Sequence, residues 1–337
     1  MRSTLGRYIL NKVVWYLAAF LVAVTLNFFL PRLIPGNPVD MIISQFMRGG
    51  GSGTGADKMY KAFVAEFGLD KPLLGQFLVY LGDLFRGYLG KSFSLFPAPV
   101  TDLIRQALPW TLSLQLPAIL IGWIVGNVLG AVAAYKRGMF DKTLFVSSLA
   151  MSSVPYYAFA IILLYLFAVL IPIFPAGGGY SFGTMPSFSL AFMGDVLSHY
   201  TLPFFSLLLI SIGGQAVGMR SMAIYELGSD YVNYSVGLGV RESRVLSFVF
   251  RNAMLPQISG LALSLGTLVG GALITEVVFS YPGLGTLLFN AITSNDYPLI
   301  QGVTLLIVVG VLLANFLVDI AYGYIDPRIR AARTGER

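Results

Sequence analysis

Few residues in this 337-residue chain are equipped for chemistry, and their spacing argues against most of it. Cradling a phosphate takes GxxxxGK[ST], whose backbone N–H groups wrap the phosphates while the lysine reaches them. The nearest stretch, FRGYLGKS at 85–92, has Phe85 where the first glycine is required. Gly283 and Gly285 lack the rest of a dinucleotide fingerprint. His199 is the single histidine, which excludes a two-histidine metal motif, and zero cysteines exclude disulfides and thiolate metal sites. Asn233-Tyr234-Ser235 has the form of a glycosylation sequon. The sequence therefore predicts no catalytic residues, no metal site and no cofactor bound by this chain. The notable cluster is of another kind. Residues 220–252 hold seven charged side chains, Arg220, Glu226, Asp230, Arg241, Glu242, Arg244 and Arg251, between long uncharged runs.

Those runs are the elements that must position the cluster. The chain is 56% hydrophobic and only 11% charged, whereas a soluble domain is about 25% charged. A bilayer-crossing helix needs about 20 apolar residues. Runs of that size occur at 13–30, 111–135, 143–174, 202–219, 254–275 and 299–318. They are continuous rather than alternating, so helices are expected, not barrel strands. The first run is too long for a signal-peptide core and ends in Pro31-Arg32, so it reads as a retained span. Pro155 is expected to kink the third.

Orientation follows from basic residues in short loops. Lys136, Arg137 and Lys142, the 220–252 cluster, and Arg328, Arg330, Arg333 and Arg337 mark one side, together with Arg2, Arg7 and Lys12. Residues 175–201 and 280–298 contain neither Lys nor Arg. Both termini are thus expected in the cytoplasm. The net charge of +6 is spread over span ends and is no nucleic-acid footprint. The loop 31–110 carries eight basic residues, but long loops cross largely regardless of charge. Within it, the glycine-rich 48–56 should be mobile. Leu74, Phe77, Leu78, Leu81, Leu84 and Phe85 recur at helical spacing, predicting an amphipathic helix that packs on the spans or also offers a docking surface.

At roughly 3 kcal/mol each near mid-membrane, burying seven charges in lipid costs on the order of 20 kcal/mol. The 220–252 segment therefore lies in the cytoplasm or against protein. Tyr231, Val232, Val245, Leu246, Phe248, Val249 and Phe250 give it an apolar face. Ser229 or Asp230 can cap a short helix, Gly237 and Gly239 permit a bend, and a second helix fits from Arg241 to Asn252. Pro256 would sit in the first turn of the following span. The residues allow two readings: a connector lying on headgroups, or a docking element with an apolar knob and charged rim.

The stretch resembles the EAA loop of ATP-binding-cassette (ABC) importer permeases, whose coupling helix seats in a groove of the ATPase subunit. The family pattern has alanine, three residues, glycine, and later Leu-Pro. Here Ser235 stands for the alanine, Gly239 matches the glycine, and Leu255-Pro256 match the end. RLIPGNPVD (32–40), FGLDKPLLGQFLVYLGDLFRGYLGKSF (67–93), VVFSYPGLGTLL (277–288), NDYPLIQG (295–302) and DPRIR (326–330) are similar, in order, to the B-type permease of the dipeptide/oligopeptide/nickel branch. Asn37 and Tyr88 depart from an aspartate common in the family.

The resemblance implies an all-α membrane protein of the type I ABC importer permease class with six transmembrane helices. Its parts are an N-terminal tail and first span at 1–30, an extracytoplasmic loop at 31–110, a permease core at 111–330 and a tail at 331–337. It implies a second homologous permease, two ABC ATPase subunits that use ATP and Mg, and an extracytoplasmic solute-binding protein. No nucleic acid is implied. Location would be the plasma (inner) membrane of a prokaryote, and the solute a peptide, an oligosaccharide or nickel. Coupling would fall to Asp230, Tyr231, Ser235, Gly239, Arg241, Glu242, Arg244, Leu255 and Pro256.

An ion-coupled transporter or channel is the competing class. Such proteins often keep ionisable residues at mid-membrane. Here only Glu276 and Asp319 come close, and both read as helix-end residues. Polar residues within spans, Gln115, Asn127, Ser153, Gln215 and Ser264 among them, are candidates for a translocation path or for helix–helix hydrogen bonds.

Overall fold

The computed structural model describes residues 2–33, 64, 70–266 and 273–325. Among the described residues the structure is helical: α1 (Arg2–Phe29), α2 (Leu73–Phe85), α3 (Val100–Lys136), α4 (Gly138–Ser152), α5 (Tyr156–Leu164), α6 (Leu190–Leu227), α7 (Asp230–Gly237), α8 (Glu242–Gly266), α9 (Leu273–Val278), α10 (Leu284–Thr293) and α11 (Tyr297–Ile325). A 3-10 turn, Leu30–Leu33, extends α1, and a π-helical segment, Tyr165–Leu170, extends α5. The glycine-rich 48–56 lies outside the described residues.

Four segments are long and apolar enough to cross a bilayer: Ile9–Leu33, Val100–Lys136, Leu190–Leu227 and Tyr297–Leu317. They contain the expected spans at 13–30, 111–135, 202–219 and all but the last residue of 299–318. The expected third span is not one kinked helix. It is broken between Ser152 and Tyr156, and its two arms meet at 97°. Proline supplies no N–H and pushes the preceding residue out of the helical region. At the end of α4 the Leu149 carbonyl accepts from Ser153 N–H at 3.1 Å and also from the Ser152 and Ser153 hydroxyls at 3.0 and 2.8 Å. Counted as one, the bent pair is a fifth span. The expected span at 254–275 begins in α8, and its residues 267–272 lie outside the described set.

The chain divides into two compact units. The first comprises Met1–Pro109, Gly283–Phe316 and Tyr322–Arg337. At its centre the fully buried Phe28 ring meets Phe29, Phe77 and Tyr80 at 5.1–5.4 Å, bringing α2 onto α1. The amphipathic helix thus forms where expected, but Leu74, Leu78 and Phe85 stay exposed while Phe77 and Tyr80 face inward. Asn27 joins α11 by donating to the Gln301 carbonyl at 2.8 Å and accepting from the Thr304 hydroxyl. The buried Asp296 caps α11 through Leu299 N–H at 3.1 Å. It also accepts from Ser92 Oγ at 2.5 Å and from Ser94 N–H and Oγ at 2.9 and 2.8 Å.

The second unit comprises Trp110–Pro282 and Leu317–Ala321. Its helices α3 and α6 approach closely along Gly122, Gly126 and Gly130. A Cβ on these would lie 2.3 Å from Ser211 Oγ, 2.6 Å from Gln215 Cβ and 2.4 Å from the Ala216 carbonyl oxygen. Small residues spaced by four are how membrane helices bring backbones together, since lipid gives apolar side chains no reason to leave it. Helix α4 meets α6 in the same way, with Gly213 against the Ser148 carbonyl.

Candidate functional site

Helix α6 ends at Leu227, and the chain turns through Gly228 and Ser229 into α7. Glu226 organises this turn. Its carbonyl accepts from Ser229 Oγ at 2.6 Å and Ser229 N–H at 3.1 Å. Its carboxylate accepts from Tyr231 Oη at 2.7 Å and, at a longer 3.5 Å, from Asn252 Nδ2 of α8. Burial and this carboxylate push the Tyr231 phenol above its ordinary pKa.

The segment's apolar residues divide into two sets. Val232, Val245 and Val249 are buried with Ala134, Met219, Ala223 and Ala253 in a core at this end of the unit, and Tyr231 packs against it. Outside, Tyr234, Val236 and Leu238 are 70%, 62% and 64% exposed. The single apolar face expected for the loop is therefore corrected. Half of it is core, and the outward knob is formed by residues the sequence reading did not single out. Helical spacing hides this division, because 231, 234, 235 and 238 recur at i, i+3, i+4 and i+7, the positions of a single face.

Asp230 is exposed in the first turn of α7, where a carboxylate favours the helix N-terminus. Ser235 is half-buried and donates to the Tyr231 carbonyl at 2.7 Å. Gly239 is exposed with φ +73°, a backbone that side chains other than glycine resist, and a Cβ there would touch nothing within 4 Å. Its geometry closes the bend, with Val240 N–H donating to the Ser235 carbonyl at 3.1 Å. Arg241 and Arg244 are exposed, and Glu242, also exposed, accepts from Tyr135 Oη at 2.6 Å.

The expected second short helix, 241–252, is not separate. One helix, α8, runs Glu242–Gly266 through Pro256. Pro256 denies the Asn252 carbonyl its usual partner, and both residues are exposed, so that carbonyl is open to solvation. Leu255 and Pro256 are exposed on α8 and directly follow Ala253 and Met254, which pack in the same core as Val232 of α7.

A cavity of about 490 Å³ lies within the second unit. Residues 152–156 at the α4–α5 break line it, and residues of α3, α6 and α8 complete the wall. Gln115, Ser153, Gln215 and Ser264 line it, together with Tyr156 and Ser211. Asn127 does not. It is buried, donates to the Trp123 carbonyl at 2.7 Å, and its Oδ1 has no hydrogen-bond partner among the described residues. No lining residue carries a charge. Glu276 lies two residues from the end of α9, where it is fully buried, and Gln115 Nε2 donates to its Oε1 at 3.3 Å. Among the described residues no cluster of three or more acidic or histidine side chains could hold a metal.

Residues 126–331 match the family described as binding-protein-dependent transport system inner membrane component. The chain belongs to this family. A putative peptide permease of Brucella ovis is 37% identical, over 96% of this chain and 99% of the relative. A di/tripeptide transport system permease of Pseudomonas aeruginosa is 35% identical, over 97% and 99%. A dipeptide transport system permease of Escherichia coli K12 is 33% identical, over 96% and 98%. As a binding-protein-dependent transport component, the chain is a multi-pass inner-membrane permease that works with a binding protein and an ATPase and is not itself the hydrolase. The family match covers the whole α6–α8 loop and most of the cavity wall, but begins after Gln115.

Proposed function

We propose that this chain forms half of the translocation pathway of an ATP-driven peptide importer. Near-full-length similarity to permeases named for peptides supports the solute class. The cavity's carboxamides and hydroxyls suit solutes rich in amide donors and acceptors. In this reading the chain crosses the inner membrane six times with both termini cytoplasmic, the core spanning 111–330. A homologous permease completes the path, two ABC ATPase subunits drive it, and loops 31–110, 175–201 and 280–298 meet the binding protein.

The observation that carries the coupling is the outward knob of α7. Tyr234 and Leu238 stand clear of the core, with Asp230, Arg241 and Arg244 as a charged rim. An ATPase groove closing over this knob moves α6 and α8 as rigid bodies, and that motion switches the cavity's access. The chain has no cysteine, so Leu238→Cys gives it a sole thiol. Cross-linking from this position to the ATPase subunits in the purified complex is the expected result, and its absence overturns the docking. Uptake of a labelled dipeptide by proteoliposomes holding the complete transporter tests the solute. Uptake by this chain alone, on an ion gradient without ATP, would instead establish the ion-coupled class.

A further inference from the structure

Helix α7 has only eight residues and carries its knob on an exposed face. A helix this short has little stability of its own. A push on the knob moves the spans only if α7 is fastened to them. Val232 supplies an apolar contact, but such contacts set no direction. The directional fastening is at Glu226, the penultimate residue of α6. Its carbonyl holds Ser229 at the start of α7, and its carboxylate holds Tyr231 at 2.7 Å. The same oxygen, Oε2, reaches Asn252 of α8 at 3.5 Å. One carboxylate thus meets α7 and α8 from the end of α6. Hydrogen bonds to a charged acceptor are the strong kind, and their angular preference fixes orientation.

We infer that Glu226 is a positioning residue for energy coupling: its carboxylate, through Tyr231 and Asn252, makes the docking helix move as one body with α6 and α8. The inference rests on the docking reading above. It predicts a defect different from loss of docking, because the knob residues stay in place while their motion is no longer passed on.

The test uses the complete transporter in proteoliposomes, with uptake of a labelled dipeptide and ATP hydrolysis measured together. Glu226→Ala should leave hydrolysis running while uptake per ATP falls roughly tenfold, as for a lost hydrogen bond to a charged group. Glu226→Gln, whose carboxamide oxygen still accepts from Tyr231, should restore most of the ratio. Tyr231→Phe should lower it by itself and add little to Glu226→Ala. Should Glu226→Ala fail to assemble, Tyr231→Phe and Glu226→Gln decide the matter. An unchanged ratio in Tyr231→Phe, or Glu226→Gln no better than Glu226→Ala, overturns the inference. Cross-linking at Leu238→Cys should persist in Glu226→Ala. Its loss in the otherwise unaltered chain would refute docking itself, which separates the two failures.

Discussion

Arg220 grips Asp141 side-on, with Nε to Oδ1 at 2.5 Å and Nη2 to Oδ2 at 2.7 Å, and lays its guanidinium over the Phe145 ring at 4.4 Å. This joins α4 to α6 near the turn at Arg137-Gly138. The planar fork matches a carboxylate in a way a lysine cannot. Arg220→Lys should therefore lower the thermal stability of the purified chain by about 1–2 kcal/mol. Asp141→Asn should do the same, and the double variant should cost less than the sum. Strict additivity in a double-mutant cycle would show that the pair contributes nothing as a pair.

Gly130 faces the backbone of α6, where a Cβ would lie 2.4 Å from the Ala216 carbonyl oxygen. Backbone cannot swing aside like a flexible side chain. Gly130→Ala should force α3 from α6 and destabilise the fold by about 1–3 kcal/mol. Gly214→Ala, whose Cβ meets nothing within 4 Å, should be close to neutral. Thermal melts of both in detergent check the contrast.

Gly239 presents the opposite case, with open space but a left-handed backbone. Gly239→Ala should cost about 1 kcal/mol through that backbone alone, and Gly239→Asn less, because asparagine tolerates the conformation. Gly239→Arg adds bulk and charge beside the knob. It should insert normally and abolish uptake by the complete transporter, and wild-type uptake in that variant would sink the docking site.

The five polar residues expected along the path should separate by assay. Gln215→Leu removes a carboxamide from the cavity wall and should lower dipeptide uptake several-fold while complex assembly and basal hydrolysis persist. Asn127→Leu, at a buried site away from the cavity with an unpartnered Oδ1, should leave uptake near normal and change stability by less than about 1 kcal/mol. Equal uptake in both would remove the cavity from the path.

Hydropathy made the long spans legible because burying backbone in lipid demands long apolar helices whatever their neighbours. It did not reveal the right-angled break before Pro155. A proline announces a perturbation, but the 97° between the two arms belongs to the tertiary fold, in which α4 and α5 each pack on α6. Pro256 shows the reverse, lying inside an unbroken α8. The role of Glu226 was also hidden, because its partners come from two further helices. The inward half of the 229–250 apolar set was likewise invisible, since only the fold decides that Val232 meets Val249 while Tyr234 meets water. Glu276 does lie near a helix end, but its full burial was not legible, since Gln115, which donates to it, is 161 residues away.

A membrane potential of 100 mV does about 2.3 kcal/mol of work on each elementary charge that crosses it. The cavity wall brings no fixed charge to that field. Electrical work at this station is therefore set by the passenger's own valence, and a zwitterion with no net charge crosses indifferent to voltage. Dipeptide uptake along the proposed path should therefore persist in depolarised proteoliposomes for as long as ATP is supplied.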